Sequence, residues 1–301
     1  MSELDRVPAL GPLFAKAVLA RKRAKHTEAV SDDRLTVEDQ AVDADRLWHY
    51  QRLCGFRVGD LLPPTYLHLM TFPLAVARMV RSDFPFPLLG LVHVGNTVIQ
   101  HRPVSLTERV GLAAWAEQLR PHPSGLQVDL VSEARVDGEL VWHETSSYLH
   151  RRGSTQQSSG PRAEQASPRA EQTSPRTEQA SPRTEQGTGG GPAIRWQLPA
   201  DLGRRYGAVS GDRNPIHLHN LSARAFGFPK AIAHGMWLQA RTLAAFEGRL
   251  PASYTAEVAF KTPAFLPSEV ELTATPAAGG WELQLRNAKS GKPHLAGTIR
   301  P

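Results

Sequence analysis

Six consecutive residues, Asp212-Arg213-Asn214-Pro215-Ile216-His217, bring together an acid, an amide, a proline and an imidazole, and His234-Gly235 follows at the head of an apolar helical run. Pro215 forbids a regular helix through the segment, so Asp212 and His217 must sit on a tight turn that aims both side chains at one point. A carboxylate and an imidazole converging there activate a water molecule, because each carries a lone pair that accepts a proton near neutral pH. Gly235 supplies the complementary part. A glycine at a helix start leaves its N–H unobstructed, and the helix dipole favours negative charge on an oxygen placed against it. Asn214 does not titrate, so it shapes the turn, positions His217 or contributes to the oxyanion and substrate-binding wall. Ser210 bonds local backbone, and His234 braces the turn before Gly235. His217 with His219 lacks a third ligand at a known metal spacing, so no metal is expected.

These residues need a frame, and the chain offers two. From residue 193 to 301 a short helix over Leu202–Val209 leads into the turn, and Asn220 reads as the N-cap of a helical turn over Leu221–Phe226. Gly235–Gly248 is a core helix. Strands follow at Tyr254–Phe260, Val270–Thr275, Trp281–Asn287 and His294–Arg300, the first alternating buried and exposed positions. From residue 35 to 152 the order is the same. An apolar helix spans Thr65–Arg81, with Pro73 marking a kink or a late start, and strand-like runs follow at Leu88–Val98 and Val110–Leu119. A hairpin then joins Leu126–Arg135 to Leu140–His150 through Asp137-Gly138. Only the second copy carries the motif: Gly55-Phe56-Arg57-Val58-Gly59-Asp60 precedes the first-copy helix with no Asn-Pro-x-His after it. One active site per chain is therefore expected, with the first copy as a partner sheet that helps shape it.

Residues 153–192 separate the copies. Four heptads, GPRAEQA, SPRAEQT, SPRTEQA and SPRTEQG, each carry a proline and lack an apolar a/d pair, which excludes a coiled coil and predicts a disordered linker. Residues 1–34 form an N-terminal extension with a short amphipathic helix, ending in Arg21, Lys22, Arg23 and Lys25, that packs on the first copy.

Of the 301 residues 41% are hydrophobic, enough for two modest cores, and no run approaches the ~18 apolar residues of a membrane span. With no secretory signal and a single cysteine, Cys54, read as a buried thiol, a cytoplasmic protein is expected. The net charge of +6 is unevenly placed: residues 193–301 hold thirteen basic against seven acidic side chains, and the rest of the chain is balanced. A basic surface around a site suits an anionic ligand. Nucleic acid does not fit, because no basic block with interleaved aromatics appears.

Tyr-x-x-x-Ser-Gly-Asp-x-Asn-Pro-x-His over 206–217, followed by Gly-Phe and Ile-x-His-Gly-Met up to Met236, resembles the hydratase motif of the MaoC-like, (R)-specific enoyl-thioester hydratases and dehydratases. The resemblance implies an α+β double hot-dog fold, two antiparallel sheets each wrapped round a central helix. It implies that Asp212 and His217 hold the water that adds to a trans-2-enoyl thioester, and that the Gly235 N–H binds the thioester oxygen. No cofactor is implied beyond the coenzyme A or acyl carrier protein of the substrate itself. Many members have Asp where this chain has Asn220. Two other readings stay open: a dehydratase acting on carrier-protein thioesters, and a non-catalytic thioester-binding protein. Whether two copies form a homodimer is open as well, since two fused halves already imitate one.

Overall fold

The structure is a computed structural model that describes residues 2–20, 30–151 and 193–301. The heptad repeats and the basic cluster at 21–25 lie outside the described residues. After strand β1 (Ser2–Glu3) and helix α1 (Leu10–Ala20), the chain builds one set of elements twice. The first copy is β2 (Leu35–Gln40), α2 (Ala44–Cys54), α3 (Pro64–Met79), β3 (Leu91–Gln100), β4 (Val110–His122), β5 (Gly125–Val136) and β6 (Glu139–Arg151). The second is β7 (Ile194–Leu198), α4 (Leu202–Ser210), the short α5 (Pro215–Leu218) and α6 (Asn220–Ala225), α7 (Gly235–Ala244), β8 (Tyr254–Phe260), β9 (Ser268–Ala277), β10 (Gly280–Asn287) and β11 (Pro293–Arg300).

Strands take the same order in both copies, β2-β4-β5-β6-β3 and β7-β9-β10-β11-β8. The two half-sheets expected from the sequence are continuous: β3 and β8 pair antiparallel, with Gly95 opposite Ala259 and Gln100 opposite Tyr254, and β1 completes an 11-stranded sheet. This is the double hot-dog arrangement. The seam converts two exposed strand edges into paired backbone.

Every residue of α3 except Ala77 is buried, because the helix is apolar on nearly all sides and packs across the five strands of its own half. Burying Leu67, Leu69 or Leu74 stabilises the fold by roughly 1.5–3 kcal/mol each. The helix begins with Pro64 at its first position, where no N–H is required, and runs on through Pro73, so Pro73 does not mark a late start. The Asp137-Gly138 turn forms as expected, with φ of 49° and 81°, both positive as a two-residue hairpin turn of this hand demands.

Helices α2 and α4 are counterparts, each ending at a left-handed glycine, Gly55 (φ 80°) and Gly211 (φ 81°). From Gly55 the first copy loops directly to α3. From Gly211 the second copy interposes α5 and α6 before α7, so the segment rich in chemistry is an insertion in one copy only. The two halves are also tied side by side: Trp237 of α7 donates its indole N–H to the Leu53 carbonyl of α2 at 3.2 Å.

Candidate active site

Helix α4 sets the position of the turn by close approach. A methyl group on Gly203 would stand 1.9 Å from the His217 carbonyl oxygen, and one on Gly207 2.9 Å from the Asp212 carbonyl oxygen. Two glycines one helical turn apart thus let the turn lie against the helix backbone. Across the halves, Arg46 of α2 donates its Nε to the Val209 carbonyl at 2.8 Å and Nη2 to the Ser210 carbonyl at 3.0 Å, which satisfies carbonyls that the end of α4 leaves without a partner.

The turn then caps itself residue by residue. Ser210 Oγ accepts the Asp212 N–H at 3.1 Å, Asp212 Oδ1 accepts the Asn214 N–H at 3.1 Å, and Asn214 Oδ1 accepts the Ile216 N–H at 3.4 Å. These short polar side chains stand where an N–H would otherwise lack an acceptor. Asn214 therefore works first as the cap of α5, and its carboxamide oxygen is occupied there while the residue lines the pocket.

His217 is 8% exposed and donates its Nδ1–H to the Ile232 carbonyl at 2.8 Å. A carbonyl only accepts, so the proton sits on Nδ1 and the Nε2 lone pair is left for a ligand. His234 lies face to face with it, ring centroids 3.6 Å apart and 25° between planes, and donates Nε2–H to the Asp212 carbonyl at 3.1 Å. Tyr206 packs on the His234 ring at 4.8 Å. His234 is thus a brace that fixes both members of the pair. The nitrogen and carboxylate atoms of Asp212, His217 and His234 lie within 4.8 Å of one another.

By number these three groups equal a metal-ligand set. Stacked imidazoles, however, aim their nitrogen lone pairs along nearly parallel planes, whereas a zinc ion needs them to converge on one point about 2.0–2.1 Å away. The third partner of His217 is His234; His219, considered with it from sequence, is exposed at the N-cap of α6. The cap assignment of Asn220 is corrected too. His219 has the extended backbone of a cap (φ −146°, ψ 150°), and Asn220 is the first helical residue, whose Oδ1 accepts the Ala231 N–H at 2.9 Å and so anchors the approach to His234-Gly235.

Gly235 opens α7, so its N–H has no acceptor within the helix. A methyl group there would come within 3.0 Å of the Phe260 ring, which closes this corner of the site. Asp212, His217 and Gly235 line one cavity of about 320 Å³, and Ser210, Asn214 and His234 line it with them. Its opposite wall comes from the first half, where Leu69, Phe72, Met79, Leu88 and Leu91 present an apolar surface.

Three polar residues of that wall, His68, His93 and Tyr148, escaped the sequence reading because the first half lacks the motif. A signal existed for one of them. His68 is a polar residue amid the apolar run Thr65–Met79, a position that an amphipathic pattern would leave to a hydrophobe. His93 stacks on Tyr148 with centroids 4.6 Å apart and meets Phe260 across the seam. Desolvation drives the His93 imidazole down to about 3, the His68 charge adding to the effect while a Gly95 backbone hydrogen bond and Asp212 oppose it, so His93 stays neutral.

A family model for the MaoC like domain matches residues 165–278. 3-Hydroxyacyl-thioester dehydratase X of Mycobacterium tuberculosis is 35% identical over 274 residues, 91% of each chain. The crystal structure of HtdX from that organism superposes with a TM-score of 0.73 at 34% identity, covering 89% of this chain and 99% of that one. The full-length peroxisomal multifunctional enzyme type 2 of Drosophila melanogaster shares the fold, with a TM-score of 0.64 at 15% identity over 98% of this chain and 53% of that one.

Proposed function

The chain belongs to the MaoC-like dehydratase family, and on that premise we propose that it interconverts trans-2-enoyl thioesters and (3R)-3-hydroxyacyl thioesters, with coenzyme A as the carrier. Water held between Asp212 and His217 attacks C3, its proton passing to the pair, and a proton is delivered to C2. Negative charge that gathers on the thioester oxygen meets the Gly235 N–H at the start of α7; one such donor is worth about 2.7–4 kcal/mol of barrier. The observation that carries this reading is the grouping, within one cavity, of a half-buried carboxylate, an imidazole with its Nε2 lone pair unassigned, and an uncommitted helix-start N–H. Arg151 and Lys261 line the same cavity and suit a phosphate-bearing carrier.

Hydration of a short trans-2-enoyl-CoA removes the absorbance of the conjugated thioester, and wild-type protein is expected to consume it steadily. Absence of turnover on both coenzyme A and carrier-protein thioesters would instead favour a binding protein. Preference for carrier-protein thioesters would keep the reaction and change the carrier.

The pH profile follows from His217. Burial, the largest influence, holds its imidazole below the ordinary 6.5, while the Asp212 carboxylate and the Ile232 hydrogen bond pull part of the way back. A base with a lowered pKa is neutral above it, so kcat/KM is expected to hold from pH 8 to about 6.5 and to fall only on further acidification. An acid limb centred above pH 6.5 would contradict this assignment.

A further inference from the structure

The first half carries a buried polar network that the reaction above does not use. His68 of α3 is 7% exposed and its Nδ1 bonds the Glu144 carboxylate of β6 at 2.8 and 3.0 Å. Glu144 is 1% exposed and also accepts from Asn96 Nδ2 of β3 at 2.6 Å; Asn96 donates in turn to Ser146 Oγ at 3.0 Å. A carboxylate taken out of water is tolerated only when hydrogen-bonded in this way, and here the bonds fix the His68 ring with Nδ1 turned toward the sheet. The opposite ring nitrogen, Nε2, has no hydrogen-bond partner among the described residues, and His68 lines the catalytic cavity.

A straight-chain substrate offers this nitrogen nothing. Its reacting oxygen and its thioester oxygen are served by the second-half wall, so Nε2 would face the hydrocarbon of the chain, an arrangement that leaves a polar atom unpaired once the chain excludes water. We propose that His68, oriented by Glu144, is a specificity-determining anchor for a second oxygen on the acyl chain, and that the preferred substrates are enoyl and 3-hydroxyacyl thioesters bearing a further hydroxyl beyond C3. A hydroxyl suits either protonation state of the ring, since it donates to a neutral Nε2 and accepts from a protonated one. The inference rests on the hydratase reading and names its substrate class.

The test compares kcat/KM for straight-chain trans-2-enoyl-CoA with that for chains carrying one hydroxyl at successive positions from C5 outward. Wild-type protein is expected to favour one hydroxylated position by roughly ten- to a hundredfold, the worth of one hydrogen bond to a charge-supported group. His68→Leu alone strands the Glu144 carboxylate and is a poor probe. The double variant His68→Leu/Glu144→Leu replaces the pair with apolar groups of similar size, a change that buried ion pairs commonly tolerate, and whatever its straight-chain rate it is expected to bring the ratio of hydroxylated to straight-chain kcat/KM down to about one. Equal losses on both substrate classes, or a wild type indifferent to hydroxyl position, would overturn the anchor while leaving the hydratase intact. A wild type inactive on every thioester would overturn the hydratase reading and the anchor with it.

Discussion

Asp212→Asn is expected to lower kcat for enoyl-thioester hydration by about 10²–10⁴-fold, the usual worth of a positioned acid or base, with little change in thermal stability. The contrast follows from the geometry. Asp212 Oδ1 accepts the Asn214 N–H, and an asparagine at 212 retains an oxygen for that bond, so the turn survives while the proton acceptor is lost. His217→Ala should cost as much in rate but also some stability, because the Ile232 carbonyl loses its donor in a buried setting. Groups that act as one unit do not add: the double variant should be scarcely slower than either single one. Near-normal rates in Asp212→Asn, checked by steady-state kinetics beside a melting curve, would remove Asp212 from the chemistry.

The second large effect lies outside the motif. Gly203→Ala raises intrinsic helix propensity by about 1 kcal/mol, and from that alone α4 would be stabilised. The structure reverses the sign. The new methyl would lie 1.9 Å from the His217 carbonyl oxygen, which is backbone and held by the turn on both sides, so either α4 or the turn must move. Overpacking of this kind typically costs about 1–3 kcal/mol, and a shift of about 1 Å at the catalytic imidazole is enough for a hundredfold loss of rate. Gly207→Ala, with its methyl at 2.9 Å from the Asp212 carbonyl, should follow the same direction more mildly. Gly11→Ala in α1 meets nothing within 4 Å, so it gains helix propensity without a clash and serves as the control of opposite sign. A Gly203→Ala protein with wild-type melting temperature and rate would show that α4 does not hold the turn.

What the sequence reveals of this molecule depends on how local the signal is. The reactive turn was legible because its own side chains build it: Ser210, Asp212 and Asn214 each accept a backbone N–H two residues further on. The Asp137-Gly138 hairpin is legible for the same reason, and Cys54 is the buried thiol expected of it. Helix α2 was overlooked although Leu47, Tyr50, Gln51 and Cys54 have helical spacing between an Asp43 cap and Gly55. Strands β2 and β7 are six and five residues long and gain their definition from the strands beside them, β1 and β4 for the one and β9 for the other. Long-range features were out of reach altogether. Neither the approach of Gly203 to His217, nor the meeting of His68, Asn96 and Glu144 from three elements, nor the β3–β8 seam has a signature in any one stretch of chain.

No helix among the described residues is long and apolar enough to cross a membrane. Arg151 and Lys261 both line the cavity, and much of its apolar lining is supplied by a half that has no motif of its own. Division of labour between the copies is thus physical: the second carries the polar turn, and the first carries much of the apolar wall of the same cavity.

The most direct measurement is a crystal structure of Asp212→Asn with a bound (3R)-3-hydroxyacyl-CoA. The account predicts the 3-hydroxyl oxygen within hydrogen-bond distance of both residue 212 and His217 Nε2, and the thioester oxygen on the Gly235 N–H. A thioester seated elsewhere, or one whose C3 is turned away from His217, would contradict it.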